Sequence, residues 1–163
     1  MLDNTLYIEI SLPLQKLYLK NGDGVIKEYP VSTAKNGAGE QQDSECTPRG
    51  KHGIAEKIGD GCAPNTVFVE RKATGEIYKP DLVKQFPNRD WILTRILRLK
   101  GKEPGVNQGD GVDTYNRCIY IHGTPEDTDM KIPGSHGCIR MRNQDVIELY
   151  DQVREETPVL IYE

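Results

Sequence analysis

Apolar and polar residues alternate almost from the start of the chain. In TLYIEISL, Leu6, Ile8 and Ile10 fall on one face, the two-residue period of a half-buried strand. After Pro13, QKLYLKNG puts Leu17 and Leu19 on one face. NGDG (Asn21 to Gly24) carries hairpin chemistry, and VIKEYPVS reads as the returning strand. TAKNGAGEQQDSE is polar and contains glycine, so it predicts a loop. Residues 34–45 and 101–111 are the candidates for segments that close over a ligand, or for plain solvated surface. TPRGKHGIAEKIG predicts a turn into a strand, and TVFVERKATGEIYKP a hairpin closed around Thr74-Gly75. DLVKQFPNRD is irregular or briefly helical. WILTRILRL has an ambiguous period, but its Trp, Ile and Leu alternate with Thr and Arg, which favours a strand. RCIYIHG predicts a strand ending at His122, with Cys118 as a small buried residue on it.

One segment has a clear helical period. Val146, Leu149, Tyr150 and Val153 recur at i, i+3, i+4 and i+7, predicting a helix over about 143–156. Asn143 stands where a cap belongs, and Asp145 suits the first turn. Pro158 follows, and PVLIY closes the chain as a strand. The sum is a mainly β fold with one packed helix, as a single domain over residues 1–163.

Composition narrows the partners. Of 163 residues, 36% are hydrophobic and 28% charged, the balance of a soluble globular protein. The net charge is -4 and no basic cluster stands out, which argues against a nucleic-acid partner. No apolar run is long enough for membrane insertion. MLDNTLYIEI lacks the basic and apolar blocks of a secretory signal. A cytoplasmic location is expected, or a periplasmic one if an export signal has been removed. The cysteines are Cys46, Cys62, Cys118 and Cys138. Reduced thiols are the expectation, and Cys46 and Cys62 would pair only in an exported protein.

The candidate chemistry lies in two pieces. His122-Gly123 ends a predicted strand, and Ser135-His136-Gly137-Cys138 follows a polar loop. An imidazole beside a thiol can take its proton or stabilise the thiolate. Either His122 or His136 could serve. Gly137 leaves room for an unusual turn whose amides could face an oxyanion, and Arg140 offers a fork suited to a carboxylate. Two other readings compete. His122, His136 and Cys138 could form an open zinc site, although no CxxC or HExxH spacing supports it. The chain could also be a non-catalytic binding module with an inert thiol. Arg142 reads as a solvated charge.

IHGTPEDTDMKIPGSHGCIRM resembles the signature of the L,D-transpeptidase catalytic-domain family (YkuD-like), with HG upstream and SHGC-x-R downstream. PVSTAKNG followed by TPRGKHGI, NRDWILTRILRLKG and VDTYNRCIYIHGT extend the resemblance over nearly the whole chain. It implies a mainly β, sandwich- or barrel-like fold and no cofactor. The implied substrate is a peptidoglycan stem peptide or muropeptide, attacked between the L-centre of a diamino acid and D-Ala. Cys138 would be the nucleophile, and His122 the base with its ring oriented by the Gly123 carbonyl. His136, Gly137 and Cys138 would surround the oxyanion. Arg140 would hold substrate, with Ser135 beside it supporting the turn. The acyl-enzyme can pass to an amine or to water. Water, at tens of molar, outcompetes an amine at ~1 mM unless the site favours the amine by ~10⁴ or more. The sequence shows no acceptor groove, so hydrolysis is the first expectation: an L,D-carboxypeptidase of muropeptide recycling. Transpeptidation is the alternative.

Overall fold

The computed structural model describes residues 5–22 and 24–163. The centre of the NGDG turn, Asp23, lies outside them, as do the first four residues. Ten strands follow in chain order: β1 (Tyr7–Ser11), β2 (Lys16–Asn21), β3 (Gly24–Ser32), β4 (Gly50–Ile58), β5 (Thr66–Val69), β6 (Lys72–Ile77), β7 (Ile92–Gly101), β8 (Tyr120–Gly123), β9 (Ile139–Met141) and β10 (Pro158–Tyr162). Two helices interrupt them, α1 (Pro80–Gln85) and α2 (Asn143–Gln152). The sheet runs β4-β10-β1-β2-β3-β9-β8-β7 and closes through β4–β7, with β5 and β6 added beside β7. The β1–β10 and β8–β9 pairs are parallel.

The alternation read from the sequence becomes the barrel core. Ile8, Ile10, Leu17 and Leu19 are fully buried, with Leu97, Leu99, Ile121 and Ile139 in the same cluster. Each such side chain removed from water contributes about 1.5–3 kcal/mol. β7 departs from simple alternation because both of its faces are covered. Leu97 and Leu99 face the barrel core, whereas Ile96 joins Phe68 and Tyr120 in a second cluster under the β5–β6 hairpin. Its pairing breaks between Leu93 and Ile96, where Thr94 adopts φ 76. The strand's two arginines are buried. Arg98 stacks on Tyr115, 3.6 Å from the ring centre, and Arg95 donates to the carbonyls of Cys62 and Thr94.

Three expectations need correction. The hairpin turns at Glu70–Arg71, not Thr74-Gly75, since Val69 pairs with Lys72. Both turn residues have positive φ, 49 and 66. Cys118 is not on a strand. It sits at φ 59 just before β8 and is only partly buried. Helix α2 ends at Gln152, short of 156, and is not capped by Asn143. Val153 turns extended, and Lys57 Nζ takes the carbonyls of Tyr150 and Val153 at 2.8 and 2.6 Å, ending the helix there.

Asn143 instead opens the helix as a buried residue. It accepts from Thr94 Oγ1, and its Nδ2 donates to Thr124 O, Asn65 Oδ1 and Glu126 Oε1. It thus ties α2, the β7 irregularity and the segment after β8 together. α1 is the brief helix that DLVKQFPNRD allowed, and α2 packs on β7 and β8. All four cysteines are free, so Cys46 and Cys62 do not pair. Among the described residues, no helix is long and apolar enough to cross a membrane.

Candidate active site

The parallel β8–β9 pair positions the chemistry. Ile121 pairs with Ile139 and His122 with Arg140. Ile121 and Ile139 point into the core, so the alternate residues, Tyr120, His122, Cys138 and Arg140, share the opposite face. All four line one pocket of about 320 Å³, with Ser135, His136, Cys118 and Asp90. The residues singled out from sequence are therefore brought together, apart from Gly123 and Gly137, which act through backbone.

His122 is buried, and its Nδ1 lies 2.6 Å from the Gly123 carbonyl. A carbonyl only accepts, so Nδ1 carries the proton and Nε2 keeps its lone pair. Gly123 has no room for a side chain. An added Cβ would lie 2.4 Å from Asn143 Oδ1 and 2.6 Å from the Leu93 carbonyl. Gly123→Ala is expected to cost about 1–3 kcal/mol through overpacking, seen as a lower melting temperature, and to displace the carbonyl that holds the His122 ring.

The turn before β9 is tied on every side. Ser135 Oγ donates to the Cys138 carbonyl at 2.6 Å and accepts the Gly137 amide at 3.2 Å. Ser135 N donates to Thr33 O, and its carbonyl accepts from Lys35 N. Thr47 Oγ1 donates to the Gly137 carbonyl at 2.9 Å and accepts the Ala34 amide. Gly137 has φ 131, and a Cβ there would press on Ile119 and the Cys46 carbonyl. Ser135 is buried with its hydroxyl spent within the turn, so the structure places it as support. Among the described residues, the amides of His136 and Cys138 have no backbone acceptor.

Cys138 is partly exposed at the pocket floor. Its Sγ accepts the Tyr120 amide at 3.3 Å and lies 3.4 Å from the Cys118 carbonyl, to which it donates. Desolvation by the surrounding protein pushes the thiol up to about 12, only partly offset by the Tyr120 amide. Burial likewise pushes His122 down to about 4, against the Gly123 carbonyl, which favours the charged ring. Burial thus favours the neutral form of both groups.

His136 sits apart from that pair. Its side chain is 63% exposed, with Nδ1 3.8 Å from Asp90 Oδ2. Asp90 also meets Arg140 Nη2 at 3.5 Å, and Arg140 is only 20% exposed. Asp90 was not anticipated. Its only sequence signal is its place just before β7, in a segment that resembles the family. The proposed zinc ligands do not converge: among the described residues, no group of three His, Cys, Asp or Glu side chains is placed to hold a metal ion.

The candidate closing segments lie outside the pocket lining. The 34–47 stretch is held by an Ala38–Thr47 bridge and by Arg117, whose Nη2 donates to the Cys46 carbonyl at 2.7 Å. Gln42 N donates to Gly111 O, joining it to the 101–111 loop. The pocket wall comes instead from the β5–β6 turn, through Glu70 and Arg71.

The fold has known counterparts. An L,D-transpeptidase 3 from Mycobacterium tuberculosis superposes with a TM-score of 0.59 at 16% identity, over 98% of this chain and 61% of that one. An Enterococcus faecium L,D-transpeptidase gives 0.57 at 19% identity, over 98% and 50%. One from Xylanimonas cellulosilytica gives 0.54 at 18%, over 96% and 60%. The chain thus spans about half to three-fifths of the length of these structures, and at such identities they establish the mainly β, closed fold alone. No curated protein matches the chain. The family match is direct, covering residues 5–161: the chain belongs to the L,D-transpeptidase catalytic domain family.

Proposed function

We propose that the chain is a cysteine acyl-transfer enzyme acting on peptidoglycan stem tetrapeptides, and that water resolves its acyl-enzyme, making it an L,D-carboxypeptidase. The observation that carries the reading is the shared pocket of Cys138 and His122, with Nδ1 of the imidazole held by Gly123 and Nε2 left as base. Cys138 Sγ attacks the carbonyl carbon of the diamino acid's L-centre as its proton passes to His122 Nε2. The tetrahedral oxyanion is met by the amides of His136 and Cys138, since Gly137 N–H is held by Ser135. One such donor is worth about 3 kcal/mol. Collapse breaks the C–N bond, His122 returns the proton to the departing D-Ala amine, and a thioester remains. Water, deprotonated by His122, then releases the tripeptide.

Arg140 is the group we assign to the substrate's terminal carboxylate, in exchange for part of its contact with Asp90. Hydrolysis comes first because water needs no acceptor site. Transpeptidation is the second reading, supported by shallow clefts against Arg140, one formed with Asp90, Thr124 and Thr128, another with Ser32 and Lys35. Incubation with a tetrapeptide, with and without a D-amino acid, separates them. Tripeptide and free D-Ala as the main products in both cases support hydrolysis. A dominant exchanged tetrapeptide overturns it in favour of transfer.

A further inference from the structure

The amides of His136 and Cys138 each share a peptide plane with the carbonyl of the residue before. In a trans peptide the C=O and N–H of one plane point opposite ways, and the described residues contain no cis bond. The Ser135 carbonyl therefore points away from His136 N–H, and the Gly137 carbonyl away from Cys138 N–H. Both carbonyls are held from behind by the 34–47 stretch. Lys35 N donates to the Ser135 carbonyl at 2.9 Å. Thr47 Oγ1 donates to the Gly137 carbonyl at 2.9 Å. The first tether runs from backbone to backbone, whereas the second hangs on one side chain.

Thr47 is fully buried, and its hydroxyl accepts the Ala34 amide at 3.0 Å. An amide N–H only donates, so the single hydroxyl proton is free to go to Gly137. The bonds thus form a one-way chain from Ala34 N–H through Thr47 O–H to the Gly137 carbonyl, whose plane ends in Cys138 N–H. Hydrogen bonds in such a chain polarise one another. Thr47 is itself fixed, since its amide donates to the Gly37 carbonyl and its carbonyl accepts the Gly39 amide. Pro48 after it favours an extended backbone. Gly137, at φ 131, lacks the side chain that would restrict its own plane, so the setting comes from outside.

We propose that Thr47 is a positioning residue for the acyl transfer: by holding the Gly137 carbonyl it aims Cys138 N–H into the pocket and strengthens it as a donor to the oxyanion. The inference rests on the acyl-transfer reading above and adds to it a residue that sets the strength of the oxyanion site without touching substrate. Thr47 does not line the pocket. Its loss should therefore be felt where negative charge develops, and not in binding of the ground state. One oxyanion donor is worth about 10²–10³ in kcat, and a donor left in place but unaimed forfeits part of that.

The test compares Thr47→Val, which keeps the shape and removes the hydroxyl, with Thr47→Ser, which keeps the hydroxyl. D-Ala release from a tetrapeptide is followed well below each variant's melting temperature. Thr47→Val is expected to lower kcat about 10- to 100-fold, while tetrapeptide affinity, read by calorimetry with Cys138→Ala added, stays within about threefold. Thr47→Ser is expected to recover most of the rate. Should Thr47→Val not fold, Thr47→Ala removes the same hydroxyl without setting a methyl against the Ala34 amide, and the same outcomes apply. An unchanged kcat overturns the proposal. So do equal losses in the Ser and Val variants, which mark Thr47 as packing, or a fall in tetrapeptide affinity as large as the fall in kcat, which marks it as general support. D-Ala release or exchange by the unsubstituted chain reads the parent function separately. Release that Thr47→Val leaves unaltered sinks this inference alone, whereas neither release nor exchange by the unsubstituted chain overturns both.

Discussion

Cys138→Ala is expected to lower tetrapeptide turnover by about 10⁴-fold or more, the scale of losing a catalytic nucleophile, with little change in melting temperature. The chemistry has no other route in the site. His136 is exposed, with Nδ1 toward Asp90, and under the proposed mechanism His122 only moves a proton. The second thiol lining the pocket, Cys118, sits against Asn116 O and the guanidiniums of Arg71 and Arg98. Cys118→Ala should therefore remain active, and the pair of variants assigns the reacting sulfur. A non-catalytic peptide-binding module predicts the same behaviour from both. Burial of the Cys138 thiol up to about 12 adds a second signature. Burial disfavours the thiolate, so iodoacetamide should label it slowly in the free protein and faster as pH rises. The proposed mechanism then expects activation on encounter with substrate, when attack and proton transfer to His122 proceed together.

Acid is expected to strike stability and activity through the same window. His52 is buried between the Gly50 carbonyl and Thr114 Oγ1, and His122 lies on the pocket floor. Burial pushes both down to about 4 from 6.5. Below about pH 6.5 the unfolded chain takes up protons that the folded protein refuses. Their contribution is therefore complete above 6.5 and lost as pH falls through about 4. For each ring the gap is worth about 3 kcal/mol, a large part of the stability of a domain this size. The urea midpoint should drop steeply between pH 7 and pH 4, and His52→Gln should flatten that slope by about half. An unaltered midpoint at pH 4 would show that neither ring is held neutral. Activity requires neutral His122, so kcat/KM should hold level above about pH 6 and fall below about pH 5. A bell centred on neutral pH would indicate a thiolate–imidazolium pair at rest.

Strands β1 and β2 were legible because one face of each meets the barrel core. Ile8 and Ile10, Leu17 and Leu19 show the two-residue period that such burial imposes. Helix α2 was legible for the same reason at its own period, through Val146, Leu149 and Tyr150. Its end was not, because Lys57, a strand residue 96 positions from Val153 in sequence, takes the last carbonyls. The β5–β6 turn misled because Thr74-Gly75 has the better local chemistry, whereas the pairing of Val69 with Lys72 closes the hairpin at Glu70–Arg71, both at positive φ. Cys138, His122 and Arg140 could be picked out from a contiguous motif and a nearby dipeptide. Tyr120 shares the face of His122 by the two-residue period of RCIYIHG, whereas Asp90, Glu70 and Arg71 reach the pocket only through long-range strand pairing, which no local pattern reports. The thiol's protonation was equally hidden. Neighbouring histidines suggest an ionised cysteine, but the surrounding protein desolvates both groups and favours their neutral forms.

The central claim is that Cys138 becomes acylated by the tripeptide portion of its substrate. Protein quenched in acid during turnover of a tetrapeptide, then digested and mapped by mass spectrometry, reads this directly. The account predicts a tripeptidyl increment on the peptide containing Cys138, appearing as D-Ala is released and decaying as substrate is consumed. D-Ala release with the increment on Cys118, or with Cys138 never modified, would contradict it.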